Sequence, residues 1–499
     1  MKALLVYPKF PETFWGFKYA FRFIDKKASM PPLCLLTVAS LLPKEWKKKL
    51  VDLNVELLKD SDIKWADYVF ISAMLVQKKP ALEVIERCKK LGVKVVAGGP
   101  LFTTHHSHFK EIDHIIVGEA EVTLPSFLKD IKTGTPQQVY RSAEFADLEK
   151  SPPPMLGLVK TKEYNKMAIQ YSRGCPNNCE FCCITDLFGR KVRTKTKEQV
   201  LRELELLYNS GWRGNVFIVD DNFIGNKHRL KIEILPAIIE WIKNKNYPFS
   251  FATQVSINLA DDEELMRMMA LAGFNSVFVG IETVDDDCLV ETGKFVNRNR
   301  DIIADVKKIH RFGLRVDGSF IVGFDNDKPE TFNRIIRFIK KSNIPIAMVG
   351  LLNVDKGTKL YKRLEKEKRL IFDATGDSTD FSINFVPKIG QKTLLKGYRK
   401  ILREVYLPKN YYLRICRFFN EYKLPLIKTE GISYLSRFRD IYSQLKSLIK
   451  IIFTLGILDE GRLCFWKLFL HSIFRQPGNF TLAMSLWVQG YHSRKIFAI

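Results

Sequence analysis

The sequence has few acidic residues for its number of basic ones, and it lacks a long hydrophobic run typical of a membrane span. Its 55 Asp and Glu stand against 79 Lys and Arg, a formal net charge of +24. The basic residues are scattered rather than gathered in one arm, which favours a general anion-attracting surface over a specific nucleic-acid site. Charges interrupt the stretch 445–470, and the uncharged stretch 476–493 contains Pro477 and Gly490. Both therefore predict packed or interfacial segments rather than membrane-spanning helices.

The sequence also lacks the even cysteine framework of a secreted protein. It has nine cysteines, and four of them cluster within Cys175–Cys183. The start, Met1–Pro8, has one charge and too short an apolar run for a signal peptide, and it predicts a first strand. The expected location is a reducing cytoplasm.

The first 135 residues alternate short β-rich runs with helical patterns. The predicted strands are Ala3–Tyr7, Leu50–Asn54, Tyr68–Ala73, Val93–Ala97 and Ile112–Val117. Such alternation predicts a doubly wound, Rossmann-like α/β sheet, whose ligands bind beyond the strand C-termini. A Gly-x-Gly-x-x-Gly motif does not follow the first strand, which argues against a nicotinamide site. Seven residues stand at the predicted strand ends: Ser72, Ala73, Met74, Gly98, Gly99, Gly118 and Glu119.

A linker is expected at 136–165, where Ser151 precedes three prolines. Six βα units then predict a partial (β/α)6 barrel over 166–390. Its predicted strands are Met167–Tyr171, Asn215–Val219, Phe249–Gln254, Ser276–Ile281, Ser319–Val322 and Ala347–Leu352. Thr196 and Gln199 predict a capping box. The last region, 391–499, is predicted to be mainly helical, basic and aromatic; residues 401–499 hold 15 Lys and Arg against 6 Asp and Glu.

The most informative segment is Ser172–Cys183, in which Cys175, Cys179 and Cys182 have a Cys-x3-Cys-x2-Cys spacing. Three thiolates on a short loop can bind three irons of a cubane cluster and leave the fourth iron open to another ligand. A structural zinc site is the alternative, with Cys183 as fourth ligand, although adjacent cysteines rarely face one ion.

This motif, in the loop after the first barrel strand, resembles the signature of the radical S-adenosylmethionine (SAM) superfamily. The resemblance implies a [4Fe–4S] cluster that cleaves SAM reductively, so that a 5′-deoxyadenosyl radical abstracts hydrogen. It further implies that Asp221 accepts a hydrogen bond from the SAM ammonium and Glu282 from its ribose; a helix cap and an ion pair are the respective alternatives. The implied SAM-contacting residues are Phe181, Asp221, Asn222, Thr253, Gln254, Ser256, Glu282, Gly323 and Gly350.

Three N-terminal segments resemble the cobalamin-binding domain that precedes many radical SAM barrels: Met30–Leu33, Phe70–Met74 and Val96–Pro100. With Gly189–Lys191 and Gly323–Asp325, they resemble the branch that includes the hopanoid C-2 methylases. The seven strand-end residues are thereby implied as cobalamin contacts. An Asp-x-His-x-x-Gly motif is missing, so cobalamin is expected without a histidine ligand. His105, His106 and His108 are interpreted as one exposed polar turn, and Cys183 stands where the resemblance implies Asp.

The expected function is cobalamin-dependent methyl transfer to an apolar or lipid-like small molecule. The expected partners are a reductant such as flavodoxin or ferredoxin and, at the basic, aromatic C-terminal region, a membrane surface touched peripherally. A specific nucleic-acid partner is not expected, and RNA modification ranks lower because no RNA-binding module follows the barrel. Radical cyclisation, rearrangement or carbon–carbon coupling without methyl transfer stays open, as does a non-enzymatic iron–sulfur redox protein. The latter usually fills every iron position with protein ligands.

Overall fold

The computed structural model describes residues 1–423 and 445–499. The part of the predicted C-terminal helical region from 424 to 444 lies outside the described residues. The described chain forms an N-terminal parallel sheet, a second parallel sheet curved as a partial barrel, and helices at the C-terminal end. The predicted α/β fold class is confirmed, while the predicted domain boundaries stay predictions.

The N-terminal sheet has six parallel strands in the order β2-β1-β3-β4-β5-β6. Along β1, Leu5 packs towards one helical layer, and Leu4 and Val6 pack towards the other. The sheet is therefore doubly wound, as alternating strand faces require. The strands are β1 (Lys2–Tyr7), β2 (Lys47–Asp52), β3 (Tyr68–Ser72), β4 (Lys94–Gly98), β5 (His114–Ile116) and β6 (Val139–Tyr140). The helices are α1 (Lys18–Phe21), α2 (Leu33–Leu41), α3 (Asp60–Trp65), α4 (Lys78–Lys90), α5 (Pro100–His105) and α6 (Ala120–Thr133).

Strand β6 lies inside the stretch predicted to be a linker. It pairs with β5 through Val139 and Tyr140, and the Tyr140 hydroxyl donates to Asp130 at 3.0 Å. A strand of two residues is too short to show the alternation of apolar and polar residues that is typical of a strand. Pairing with β5, rather than the local sequence pattern, therefore determines β6.

The second sheet also has six parallel strands, in the order β14-β13-β12-β11-β10-β7, as the six βα units predict. A small antiparallel pair, β8-β9, accompanies it. The strands are β7 (Met167–Ile169), β8 (Ser172–Arg173), β9 (Arg193–Thr194), β10 (Gly214–Ile218), β11 (Phe249–Val255), β12 (Phe274–Glu282), β13 (Arg315–Val322) and β14 (Ile346–Leu351). The helices are α7 (Ile184–Phe188), α8 (Lys197–Asn209), α9 (Lys227–Arg229), α10 (Leu235–Asn244), α11 (Glu263–Leu271), α12 (Asp286–Glu291), α13 (Ile302–Arg311) and α14 (Pro329–Ser342). The Thr196–Gln199 capping box is present.

Burial alternates along the barrel strands. On β12, Val277 and Val279 are buried, whereas Phe278 between them is half-buried. Because successive strand residues point to opposite faces, the half-buried positions face the inside of the curved sheet. The strand register places these inward residues side by side, for example Phe217 beside Ala252.

The C-terminal helices follow the barrel. They are α15 (Lys359–Lys366), α16 (Gln391–Tyr406), α17 (Pro408–Glu421), α18 (445–451), α19 (Arg462–Arg475) and α20 (Phe480–Phe497). Helices α16 and α20 contact the last barrel strand, β14, and α19 packs against α17 and α20. Helix α20 buries Leu486 and Trp487 completely, which confirms packing for the stretch 476–493. Among the described helices, none has both the length and the apolar character to cross a membrane.

Candidate active site

The cysteine loop runs from β8 to α7 at the C-terminal end of the first barrel strand. Gly174 has a φ of 92°, and a Cβ there would lie 2.6 Å from the Lys191 carbonyl oxygen. The Cys175 amide donates to the Gly189 carbonyl at 3.3 Å. The β8–β9 hairpin therefore closes over the loop so tightly that only glycine fits before Cys175.

Glu180 fixes the middle of the loop, between Cys179 and Phe181. Its amide donates to Thr292 at 2.8 Å, and its carbonyl accepts from the Leu360 amide at 3.0 Å. Its carboxylate receives two hydrogen bonds from Arg363, at 2.7 and 3.1 Å. Helix α15, which carries Arg363, thus holds the loop in place from the C-terminal side.

The three thiols have the chemistry that an iron–sulfur cluster needs. Burial raises the pKa of Cys175, Cys179 and Cys182, so the metal-free thiols are protonated at neutral pH and must release protons to bind iron. In residues 1–423 and 445–499, no three His, Cys, Asp or Glu side chains converge as ligands of one ion. A cubane makes a different demand because each of its thiolates binds a separate iron.

Two adjacent aspartates follow β10, and they have different tasks. Asp220 accepts from the Tyr171 and Ser172 amides at 2.8 and 2.7 Å, which ties the start of the cysteine loop to the next strand. Burial raises the pKa of Asp221 to about 7, and the neighbouring Asp220 adds to the shift. Asp221 is therefore the carboxylate here that would gain most from a cationic ligand.

Replacing Asp221 by asparagine is expected to stabilise the metal-free protein at pH 8. A raised carboxyl pKa makes the folded state lose stability as pH rises from about 4 to about 7, because the buried group must ionise. The gain is up to about 4 kcal/mol at pH 8 and vanishes below pH 4. Thermal unfolding across this pH range measures it.

Asp325→Asn is the matched control, with the opposite sign. Burial favours a higher pKa for Asp325, but hydrogen bonds from Arg369 and Arg363 outweigh it and lower the pKa. Asp325→Asn should therefore destabilise the protein at pH 8, and this loss should shrink in acid. Equal shifts in both variants would contradict the assignment for Asp221.

The expected SAM contacts after β10 and on β11 do not all face one space. Asn222 and Ser256 bond to each other, with the Ser256 amide donating to Asn222 Oδ1 at 3.2 Å. Gln254 is half-buried on the inner face. Thr253 lies on the outer face, fully buried, and its hydroxyl donates to the Ile218 carbonyl at 2.9 Å. The structure therefore turns Thr253 away from the interior, because strand positions alternate.

Glu282 ends β12 in a left-handed conformation, with a φ of 64°. Its carboxylate pairs with Lys294 at 3.2 Å and accepts from the Ser319 hydroxyl at 3.1 Å. Burial disfavours the charge of Lys294, but Glu282 and Cys179 outweigh this and raise its pKa. Lys294, which places a cation beside the cysteine loop, was not predicted from the sequence. Lys294 lies in an irregular loop without a recognisable motif.

The remaining expected SAM contacts lie at the rim of the barrel, where the loops follow the C-terminal ends of its strands. Phe181 packs against Phe324 with ring centroids 5.8 Å apart. Gly323 has a φ of 121°, and its amide donates to Asp327 at 2.7 Å. A Cβ at Gly350 would lie 2.7 Å from Ser378 Oγ, so glycine there admits the chain segment carrying Ser378.

A second group of polar side chains on the rim was also missed. Asn353 and Asp355 follow β14, and both have buried side-chain atoms without a partner in the described parts of the chain. Burial raises the pKa of Asp355 to about 6. Burial raises the pKa of Cys183 to about 12, and the charge of the nearby Asp355 carboxylate adds to this shift. Buried polar atoms without a partner need an explanation, and a bound ligand or water would supply partners for them.

The N-terminal sheet ends in a cradle of small residues. A Cβ on Gly99, whose φ is 86°, would lie 2.5 Å from Ser72 Oγ and 3.2 Å from the Ala73 amide nitrogen. Gly98 ends β4, and Met74 is exposed beside it. Bulkier residues would fill this edge, where a doubly wound sheet binds its ligands.

Gly118 and Glu119 differ in their surroundings. Gly118 lies at the edge, and its amide donates to the Thr103 hydroxyl at 3.1 Å. The Glu119 side chain is only 2% exposed and pairs with Arg173 and Arg193, both at 2.8 Å. Glu119 is thus directed towards the cysteine loop, where sequence reasoning did not expect it.

Glu121 completes this charged network. It pairs with Arg173 at 2.8 Å. Burial favours a higher pKa for Glu121, but Arg173 outweighs it and lowers the pKa. Arg173 immediately precedes Gly174 and Cys175, so the network joins the N-terminal sheet edge to the cysteine loop.

The interpretation of the three histidines as an exposed turn is wrong for one of them. His105 is buried, 2% exposed, with Nδ1 2.8 Å from the Thr104 hydroxyl, and burial lowers its pKa to about 4. Helix α5 turns it inwards, which the clustering of polar letters could not reveal. His106 is half-buried, and His108 lies 3.8 Å from Asp373.

Three family models match the chain. The B12 binding domain matches residues 24–128, the radical SAM superfamily matches 169–339, and a domain of unknown function matches 358–499.

Two relatives match nearly the whole chain. An uncharacterized methyltransferase of Synechocystis sp. is 38% identical over 99% of this chain and 91% of its own length. The hopanoid C-2 methylase of Rhodopseudomonas palustris is 31% identical over 98% of this chain and 92% of its own length.

Two solved structures share the fold. The cobalamin-dependent SAM radical enzyme OxsB, with aqua-cobalamin and SAM bound, gives a TM-score of 0.62 at 16% identity, covering 100% of this chain and 80% of its own. The radical SAM methyltransferase TsrM of Kitasatospora setae, with cobalamin and a [4Fe–4S] cluster bound, gives 0.59 at 16% identity, covering 90% and 99%.

Proposed function

Because this chain belongs to the family of radical SAM proteins with a cobalamin-binding domain that includes hopanoid C-2 methylase, we propose that it transfers a methyl group to an apolar, lipid-like small molecule. The radical SAM domain implies a [4Fe–4S] cluster and SAM, and the B12-binding domain supports cobalamin. When bound, these groups supply the reductive cleavage of SAM and a carrier for the methyl group.

One observation favours methyl transfer over other radical reactions. The ion pairs of Glu119 and Glu121 with Arg173 join the edge of the N-terminal sheet to the cysteine loop. A methyl carrier at that edge and a radical source at that loop would then share one space. We propose that Cys175, Cys179 and Cys182 hold the cluster, and that the glycine-rich edge, Ser72–Met74 with Gly98, Gly99 and Gly118, seats cobalamin.

The chain's own side chains would orient SAM. Asp221 would accept a hydrogen bond from the SAM ammonium, which would favour its ionised form. Ser319 and Lys294 hold the Glu282 carboxylate in one orientation, ready to accept from a ribose hydroxyl. Gln254 and the Asn222–Ser256 pair would border the same space, and Phe181, Gly323 and Gly350 would shape it.

The inner face of the barrel supports an apolar substrate. Five of its half-buried positions are apolar, and polar side chains such as Gln254 and Asp317 stand among them. The Trp15 ring packs edge-on against Phe278 at 5.3 Å. On the same face, Arg315 pairs with Asp317 at 2.7 Å, and Asp317 is in register with Phe278, so this ion pair borders the apolar side chains. The apolar positions are Phe217, Ala252, Phe278, Ile321 and Met348.

Radical SAM enzymes need a reductant, and we propose flavodoxin or ferredoxin, acidic proteins in keeping with the basic surface of this chain. The lipid-like substrate and peripheral membrane contact are part of this proposal. The cytoplasmic location stays a prediction.

An anaerobic assay tests the proposal without the natural substrate. Reconstituted protein with reduced cobalamin, SAM and dithionite as the one-electron reductant of the cluster is expected to form both S-adenosylhomocysteine, from methylation of cobalamin, and 5′-deoxyadenosine, from reductive cleavage. Mass spectrometry measures both products. Deoxyadenosine alone would favour radical chemistry without methyl transfer, and neither product with an intact cluster would favour a redox protein.

A further inference from the structure

The C-terminal region contains, before α20, a helical hairpin that exposes an unusual number of large apolar side chains. Its first arm is α18 with the π-helical turn Ile452–Leu458, and its second arm is α19. Nine large apolar residues of these arms are between 37 and 78% exposed. They form the hairpin apolar set: Leu445, Ile449, Phe453, Ile457, Leu458, Leu463, Leu470, Ile473 and Phe474.

The opposite sides of the two arms are well packed. Leu455, Phe465 and Leu468 are fully buried, and the Trp466 indole donates to the Gly456 carbonyl at 2.9 Å. Asp459, at the turn between the arms, pairs with Arg494 of α20 at 2.7 Å. The hairpin is thus anchored to the body of the protein, and the exposure of its apolar set does not come from loose packing.

Basic side chains accompany the apolar set. Arg462, Lys467 and Arg475 are exposed on α19, and none of the three pairs with a carboxylate in the ranges 1–423 and 445–499. Along α19, Lys467 lies between Leu463 and Leu470. Exposed apolar residues with interleaved cations are typical of a helix that lies in the plane of an anionic lipid surface.

We propose that the hairpin apolar set, with these three cations, docks the protein on an anionic lipid bilayer. The helices would lie flat, with the apolar side chains below the head groups and the cations among the phosphates. A symmetric contact between two copies fits less well, because it would place two surfaces that carry the same three cations against each other. The docking proposal rests on the peripheral membrane contact of the proposed function and names its surface, and it does not depend on methyl transfer.

Vesicle sedimentation with the full reconstituted protein tests this surface. The wild type is expected to bind vesicles of phosphatidylglycerol and phosphatidylcholine, and to bind pure phosphatidylcholine about tenfold more weakly. The variant Leu470→Asp/Phe474→Asp should lose binding to the anionic vesicles by about tenfold or more. Leu57→Asp/Ile232→Asp, which changes two exposed apolar residues elsewhere, should bind like the wild type.

Circular dichroism and iron content establish that each variant is folded. Equal binding by the hairpin variant, or no binding by the wild type, would overturn the proposal. Sedimentation velocity without lipid completes the test: a wild-type dimer that the hairpin substitutions convert to monomer would make this surface an interface between copies instead. Because none of these measurements uses SAM, failure of docking and failure of methyl transfer remain distinguishable.

Discussion

Cys179→Ala is expected to abolish 5′-deoxyadenosine formation, a loss on the order of 1000-fold or more, since the cofactor carries the chemistry. Cys179 is buried beside Lys294 and would supply one of three thiolates to the cluster. Alanine removes that ligand, so most of the reconstituted iron should also be lost. Iron analysis and mass spectrometry of the SAM products measure the two effects.

Cys183→Ala is the matched control, because Cys183 is adjacent to Cys182 in the same loop and immediately precedes α7 as its N-cap residue. It should keep the cluster, and its deoxyadenosine yield should stay within about threefold of the wild type. A Cys183 variant that lost its iron as completely as the Cys179 variant would contradict the assignment of three ligands and revive the four-thiol zinc interpretation.

Much of the architecture could be predicted because the strands and helices follow from the local pattern of apolar and polar residues. The strands β3 and β11 differ from their predicted bounds by one residue at one end, since buried parallel strands are short apolar runs between helical periods. The cysteine spacing pointed to this loop, because three expected ligands within eight residues can be recognised from the sequence without tertiary information.

The missed parts depend on contacts between distant segments. Lys294 meets Glu282 only because the chain after α12 folds back over β12. Glu119 meets Arg173 across 54 residues. Thr253 and Gln254 are neighbours in sequence but face opposite sides of β11, so a motif could name both while only one reaches the interior. The periodicity of apolar residues in the sequence predicts which face of a strand or helix is buried. It does not predict which residues from distant segments contact each other.

Arg173→Met is expected to destabilise the reconstituted protein by about 3 to 5 kcal/mol, because it leaves the buried carboxylates of Glu119 and Glu121 short of a partner. Arg193 still pairs with Glu119, so the lower end of this range is expected. Urea unfolding, followed by tryptophan fluorescence, measures the loss. The same substitution at Arg87, whose ion pair with Asp60 is solvent-exposed, should cost at most about 1 kcal/mol.

A double variant separates the lost ion pair from lost packing. Glu121→Gln removes one of the two stranded charges, so Arg173→Met/Glu121→Gln should recover part of the stability that Arg173→Met alone loses. If the double variant were less stable than Arg173→Met, packing of the arginine side chain rather than its charge would hold the sheet edge against the cysteine loop. Recovery would instead mean that pairing of buried charges, rather than packing of the arginine side chain, stabilises the contact between the expected cobalamin edge and the cysteine loop.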